Sequence, residues 1–174
     1  MIQDRKYDTN IAALFVQSYG EAIRSTRNLL VSIRRTAELF PLSAETLEHL
    51  GDESLERLDA FRVRYAQLQD VLANKLFRGL LRLEEETTGS MLDVLNAMEK
   101  RGIIISFDDW KMLRELRNTF MHDYPDHVGL RAEALTQAHS MASELCQVLM
   151  RIRERAIDHI GLPANELPEV QGCG

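Results

Sequence analysis

The sequence predicts an all-α protein, an up-and-down four-helix bundle with an additional long N-terminal helix and short connecting helices. Three observations lead there. Only 4 of 174 residues are proline and 9 are glycine, and aromatic residues reach only 6 %, poor material for a β-sandwich. Leu, Ala, Glu and Arg, all strong helix formers, recur throughout the chain. Apolar residues return every three or four positions over long segments, the period of a helix with one buried side. With 45 % hydrophobic and 28 % charged residues the chain has ordinary globular composition and is not wholly disordered. Its length suits one domain over residues 1–162, with a core at about 43–160 and a loose tail at 163–174.

The elements follow in chain order. From Ile11 to Phe40 the apolar positions Phe15, Tyr19, Ala22/Ile23, Leu29/Leu30, Ile33, Ala37 and Phe40 keep helical spacing, and Pro41 closes the segment. This first helix is expected to flank the bundle rather than serve as one of its four staves. A short turn of helix near Ala44 to Leu50 leads to Gly51. From Glu53 to about Glu86 the residues Leu58, Phe61, Tyr65, Leu68, Leu72, Leu76, Leu80 and Leu83 form one continuous stripe. Ser90 is placed to cap a helix from Met91 to about Arg101, with Gly102 as its stop. Ile103 to Phe107 read as a connector. Ser106 and Asp109 resemble a capping box and start a helix near Asp108 that carries Trp110, Leu113, Leu116 and Phe120 on one side and ends before Pro125. A last helix runs from Leu130 to about Ile160, stopped by Gly161 and Pro163.

Charge and cysteine usage narrow the function classes. The net charge of −6, from 21 Lys+Arg against 27 Asp+Glu, is the wrong sign for a non-specific nucleic-acid coat. It leaves room for a local basic cleft: between Arg57 and Arg82 the bases are Arg57, Arg62, Arg64, Lys75, Arg78 and Arg82, against only Asp59 and Asp70. This strip reads first as a solvated face, with Arg64, Lys75 and Arg78 as candidate substrate contacts. Apolar runs such as Ile11 to Val16 fall far short of a bilayer span, and Met1 to Asp8 lacks a signal-peptide core. Cys146 and Cys173 have no metal-ligand spacing, so no disulfide framework is expected and a reducing cytoplasm is the expected compartment. None of the five histidines follows a Glu at i−3, and no phosphate-cradling glycine loop or Gly-x-Ser-x-Gly elbow occurs. No metal or cofactor is therefore expected.

What remains is the segment Arg114-Glu115-Leu116-Arg117-Asn118-Thr119-Phe120-Met121-His122-Asp123-Tyr124-Pro125. Arg114, Asn118 and His122 fall at i, i+4 and i+8, one above the next. Arg117 lies at the edge of the apolar face, about 140° from His122 on an ideal helix. Its side chain meets His122 either by reaching round the helix or across a symmetric interface. A histidine near a helix C-terminus beside guanidinium groups suits phosphodiester chemistry. The imidazole exchanges protons with an RNA 2′-hydroxyl or a leaving 5′-oxygen, and arginine stabilises charge on the phosphorus oxygens. A plain structural role for these residues is an ion pair for each arginine and a helix cap for His122.

The stretch Arg117-Asn118-x-x-x-His122-x-Tyr124 resembles the signature of the HEPN superfamily, and most closely that of HEPN toxins encoded beside a minimal nucleotidyltransferase antitoxin. The match is specific over about eight residues. The resemblance implies a metal-independent endoribonuclease whose cleft forms where two protomers bring together Arg117 and His122, with Asn118 orienting substrate or imidazole. It further implies silencing by the antitoxin, which would add AMP to Tyr124. Arg114 is a candidate substrate contact beside the motif. Related HEPN proteins act instead as non-catalytic binding or regulatory subunits of a nucleotidyltransferase, and the net charge of −6 suits that role equally.

Overall fold

A computed structural model describes residues 7–122 and 125–173 of the chain. The chain is all-α, and no strand occurs among the described residues. Asp8 begins the first helix, α1 (Thr9–Thr36), by accepting hydrogen bonds from the N–H groups of Asn10 and Ile11 at 2.8 and 3.0 Å. A 3-10 turn, Ala37–Leu39, follows. The short helix α2 (Ala44–Glu48) is closed by a reciprocal cap between Ser43 and Thr46. Next comes α3 (Asp52–Val71), which passes without a break through a π-turn, Leu72–Phe77, into α4 (Arg78–Leu83). Ser90 and Asp93 cap α5 (Met91–Lys100) in the same reciprocal way, and Ser106 caps α6 (Phe107–Met121) by accepting from the Asp109 N–H at 3.0 Å. The longest C-terminal element, α7 (Val128–Arg155), ends in a π-turn, Ala156–Ile160. Gly161 terminates it at φ +85°, a conformation that side chains with a Cβ resist.

All eight members of the stripe from Leu58 to Leu83 are buried. The stripe runs on through the π-turn, Leu72–Phe77. An i→i+5 turn inserts one extra residue, and beyond it Phe77 and Leu81 join Leu76 and Leu80 in the core. Phe77 packs on Trp110 of α6 with ring centroids 4.9 Å apart. Earlier in the run, Phe61 and Tyr65 meet Phe120 at 6.5 and 5.3 Å, so the end of α6 is anchored by three aromatic rings.

The first helix is not a flanking addition. Its pairing with α3 is the most extensive helix contact in the chain, ahead of α6 with α7, and it also touches α4 and α7. Small residues make the approach possible. A Cβ on Gly79 of α4 would stand 3.0 Å from the Phe15 ring, and the buried line of α1 continues through Thr26, Leu29, Ser32 and Thr36. Ile33 is partly buried against the core and Ala37 is exposed, so in this half hydroxyls share the interface with aliphatics. Arg64 uses one of them, donating to Ser32 Oγ at 2.8 Å and to the Asn28 carbonyl at 3.3 Å.

The C-terminal segment departs from the loose tail expected of it. Leu162, Leu167, Val170 and Cys173 are buried. The fully buried Tyr19 hydroxyl donates to the Pro168 carbonyl at 2.8 Å, Arg153 Nε donates to the Leu167 carbonyl at 2.7 Å, and the Gln147 amide donates to the Cys173 carbonyl. The physical cause is a buried phenol that requires an acceptor, combined with apolar residues spaced along the tail. No described helix is long and apolar enough to cross a membrane. Leu167→Ala is expected to destabilise the chain by about 2–4 kcal/mol in urea unfolding, as for a leucine buried in a packed core. A loss under about 0.5 kcal/mol would mean the segment is undocked in solution.

Candidate functional site

The motif helix forms as its pattern requires. Leu113, Leu116 and Phe120 are buried, while Arg114 and Asn118 are exposed on the opposite side. His122 follows the last helical residue, at φ −94° and ψ 120°, so its backbone is already extended. The wheel angle between Arg117 and His122 therefore no longer applies, because His122 has left the helix. His122 is exposed. Asp123 and Tyr124 lie outside the described residues, and with them the proposed AMP acceptor.

Arg117 turns the other way, toward α3. Its Nη2 donates to Asp70 Oδ2 at 2.9 Å, while its Nε is buried with no hydrogen-bond partner among the described residues. Asp70 is half-exposed, so the pair is worth about 0–1 kcal/mol. Arg117 and Arg114 both line a cavity of about 230 Å3 whose other walls are Gln69, Asp70, Ala73 and Asn74, with Met91 and Trp110. The structure thus brings Arg114 and Arg117 together. His122 is not among the lining residues.

The other basic candidates are engaged elsewhere. Arg64 is held in the α1–α3 seam, Lys75 reaches Glu21 of α1 at 2.5 Å, and Arg78 donates to the Thr88 and Gly89 carbonyls at 2.6 and 3.2 Å. None of the three lines the cavity. Within the strip Arg64 and Lys75 tie α3 and the π-turn to α1, Arg78 holds the loop after α4, and Arg82 is exposed. The strip's two acids are also spent, Asp59 on Arg62 at 2.8 Å and Asp70 on Arg117.

Residues that the motif did not single out complete the cavity: Gln69, Asp70 and Asn74. Gln69 carried a signal. It lies four residues after Tyr65 and three before Leu72, a polar side chain inside an apolar stripe, and it is 3 % exposed. Among the described residues no group of three or more His, Cys, Asp or Glu is placed to hold a metal ion. Cys146 and Cys173 are buried neighbours, and burial pushes both thiols up, which makes them poor nucleophiles and poor metal ligands. His139 stacks on Phe40 with centroids 4.1 Å apart.

No family model matches the chain, and no curated protein or solved structure matches it either. Arg117, Asn118, His122 and Tyr124 carry the family resemblance by themselves. Arg117→Ala and Asp70→Asn are each expected to change unfolding free energy by less than about 1 kcal/mol. A loss above about 3 kcal/mol would show that the pair is a buried structural tie, leaving Arg117 unfit for work on a ligand.

Proposed function

We propose that the chain is a metal-independent endoribonuclease of the HEPN type, acting as a cytoplasmic homodimer and as the toxin partner of a minimal nucleotidyltransferase antitoxin. The single observation that carries the reading is the motif Arg117-Asn118-x-x-x-His122-x-Tyr124, of which Arg117 and Asn118 lie in the last turns of α6 and His122 directly after it. On this reading α3–α4, α5, α6 and α7 form the HEPN-like bundle, and α1 is an addition that has become part of the core.

The chemistry needs no group beyond these side chains. The His122 imidazole takes the proton of an RNA 2′-hydroxyl, whose oxygen attacks the adjacent phosphorus. The bond to the 5′-oxygen breaks, that oxygen is protonated, and the products are a 2′,3′-cyclic phosphate and a 5′-hydroxyl. Arginine stabilises the charge that gathers on the phosphorus oxygens. Within one protomer Arg117 points to Asp70 on α3 while His122 ends the helix. This supports a pairing across two copies, with Arg117 of one protomer serving His122 of its partner. Asn118, exposed between them in sequence, orients substrate or imidazole.

The Arg117–Asp70 ion pair favours one rival, a non-catalytic binding or regulatory subunit in which Arg117 is structural. Cleavage separates the two. In EDTA, purified protein is expected to cut RNA to 2′,3′-cyclic ends, and His122→Ala to lose about 100-fold or more of the rate. Incubation with the nucleotidyltransferase and ATP should add AMP mass that Tyr124→Phe abolishes, and no gain would remove that partner from the proposal. Wild-type protein verified by mass to lack AMP, yet inactive on RNA, would hand the assignment to the binding subunit.

A further inference from the structure

The cavity beside α6 carries a signal that cleavage does not use. Gln69 lines it and is 3 % exposed, yet its amide makes no hydrogen bond among the described residues, and Nε2 is buried without a partner. A buried amide left unpaired costs about 1–3 kcal/mol, and a leucine would continue the apolar stripe here without that cost. The buried Nε of Arg117 is also unspent. Arg114 is exposed at the rim, and no ion pair engages it. The site sits against the π-turn, Leu72–Phe77, which supplies Ala73 and Asn74 to its wall. Such turns recur at functional sites.

The unspent groups select a ligand chemistry. An anion would accept from Nε2 but leave the Gln69 carbonyl oxygen facing like charge, and an apolar molecule would satisfy neither end of the amide. A nucleobase edge offers an acceptor beside a donor, and glutamine matches the N7 and N6 of adenine in this way. The last torsion of a glutamine is soft, so the amide can turn to the ligand at little cost. A volume of about 230 Å3 is below the range of pockets for drug-sized molecules, about 300–1,000 Å3, and suits one base with its phosphate outside. Two arginines against Asp70 leave one positive charge at the mouth for that phosphate.

We propose that this cavity binds a single adenine nucleotide, its base edge on the Gln69 amide and its phosphate on Arg114. The proposal rests on the ribonuclease reading only for the source of the nucleotide, a residue of an RNA strand as against a free mononucleotide. Trp110 lines the cavity and is the sole tryptophan, so binding has an internal reporter.

The test titrates the full chain with AMP, following Trp110 emission and heat by calorimetry. Saturable binding is expected, with affinity falling at least about tenfold in Gln69→Leu. Gln69→Leu is expected to melt no lower than wild type, since it removes an unpaired polar group. Gln69→Met, matched in length, covers the case in which leucine fails to fold. Competition by a short pyrimidine RNA with one internal adenine assigns the site to a strand, and its absence assigns it to free nucleotide. The proposal is overturned if millimolar AMP gives no heat, if ribose 5-phosphate binds as tightly as AMP, or if the folded variants bind AMP like wild type. AMP binding by a protein that cuts no RNA would end the ribonuclease reading and keep this site. RNA cleavage without AMP binding would do the reverse.

Discussion

The burial of one stripe along the unbroken run α3–α4 is the constraint on which the other helices depend. Each large side chain taken from water there contributes about 1.5–3 kcal/mol, whereas an exposed ion pair contributes about 0–1 kcal/mol. Phe61, Tyr65 and Phe120 therefore set where α6 ends, and Phe77 against Trp110 sets where it begins. The arginines then take the partners this packing leaves within reach. Glu84, directly after α4, accepts from Arg101 at 2.7 Å and from Arg155 of α7 at 2.5 Å. The same hierarchy puts Arg117 on Asp70. Its helix is placed by aromatic rings, and its guanidinium finds the acid that stands opposite.

The π-turn gives this run a second property. It adds one residue to the helical run, and the buried pairs Tyr65/Ala66 and Leu68/Gln69 before it are followed by Leu76/Phe77 and Leu80/Leu81. α1 lies chiefly along α3 and also reaches α4, where Phe15 lies over Gly79. The cavity beside Arg114 and Arg117 lies against the π-turn, which supplies Ala73 and Asn74 to its wall.

Much of this was legible in the sequence, for physical reasons. The stripe from Leu58 to Leu83, the caps at Ser90 and Ser106, and the stop at Gly161 all depend on residues close together in the chain. The errors came where distant partners decide. The interface use of Ser32 and Thr36 follows from how closely α1 meets α3, and the docking of Leu167 follows from Tyr19, more than a hundred residues earlier. Of the site, the exposed order Arg114, Asn118, His122 was readable from helical period alone. The direction of Arg117 was not, because it depends on which helix carries the opposing carboxylate. Gln69 was readable in principle as a polar residue inside an apolar stripe.

The central functional claim is that Arg117 and His122 work together only across two copies of the chain. Mixing Arg117→Ala protein with His122→Ala protein, after unfolding and refolding them together, tests it most directly. In a mixed dimer one composite site keeps both native side chains, so RNA cleavage is expected to return although each variant alone is inactive. Mixed dimers that form and remain inactive would contradict the shared cleft, as would full activity in a wild-type monomer.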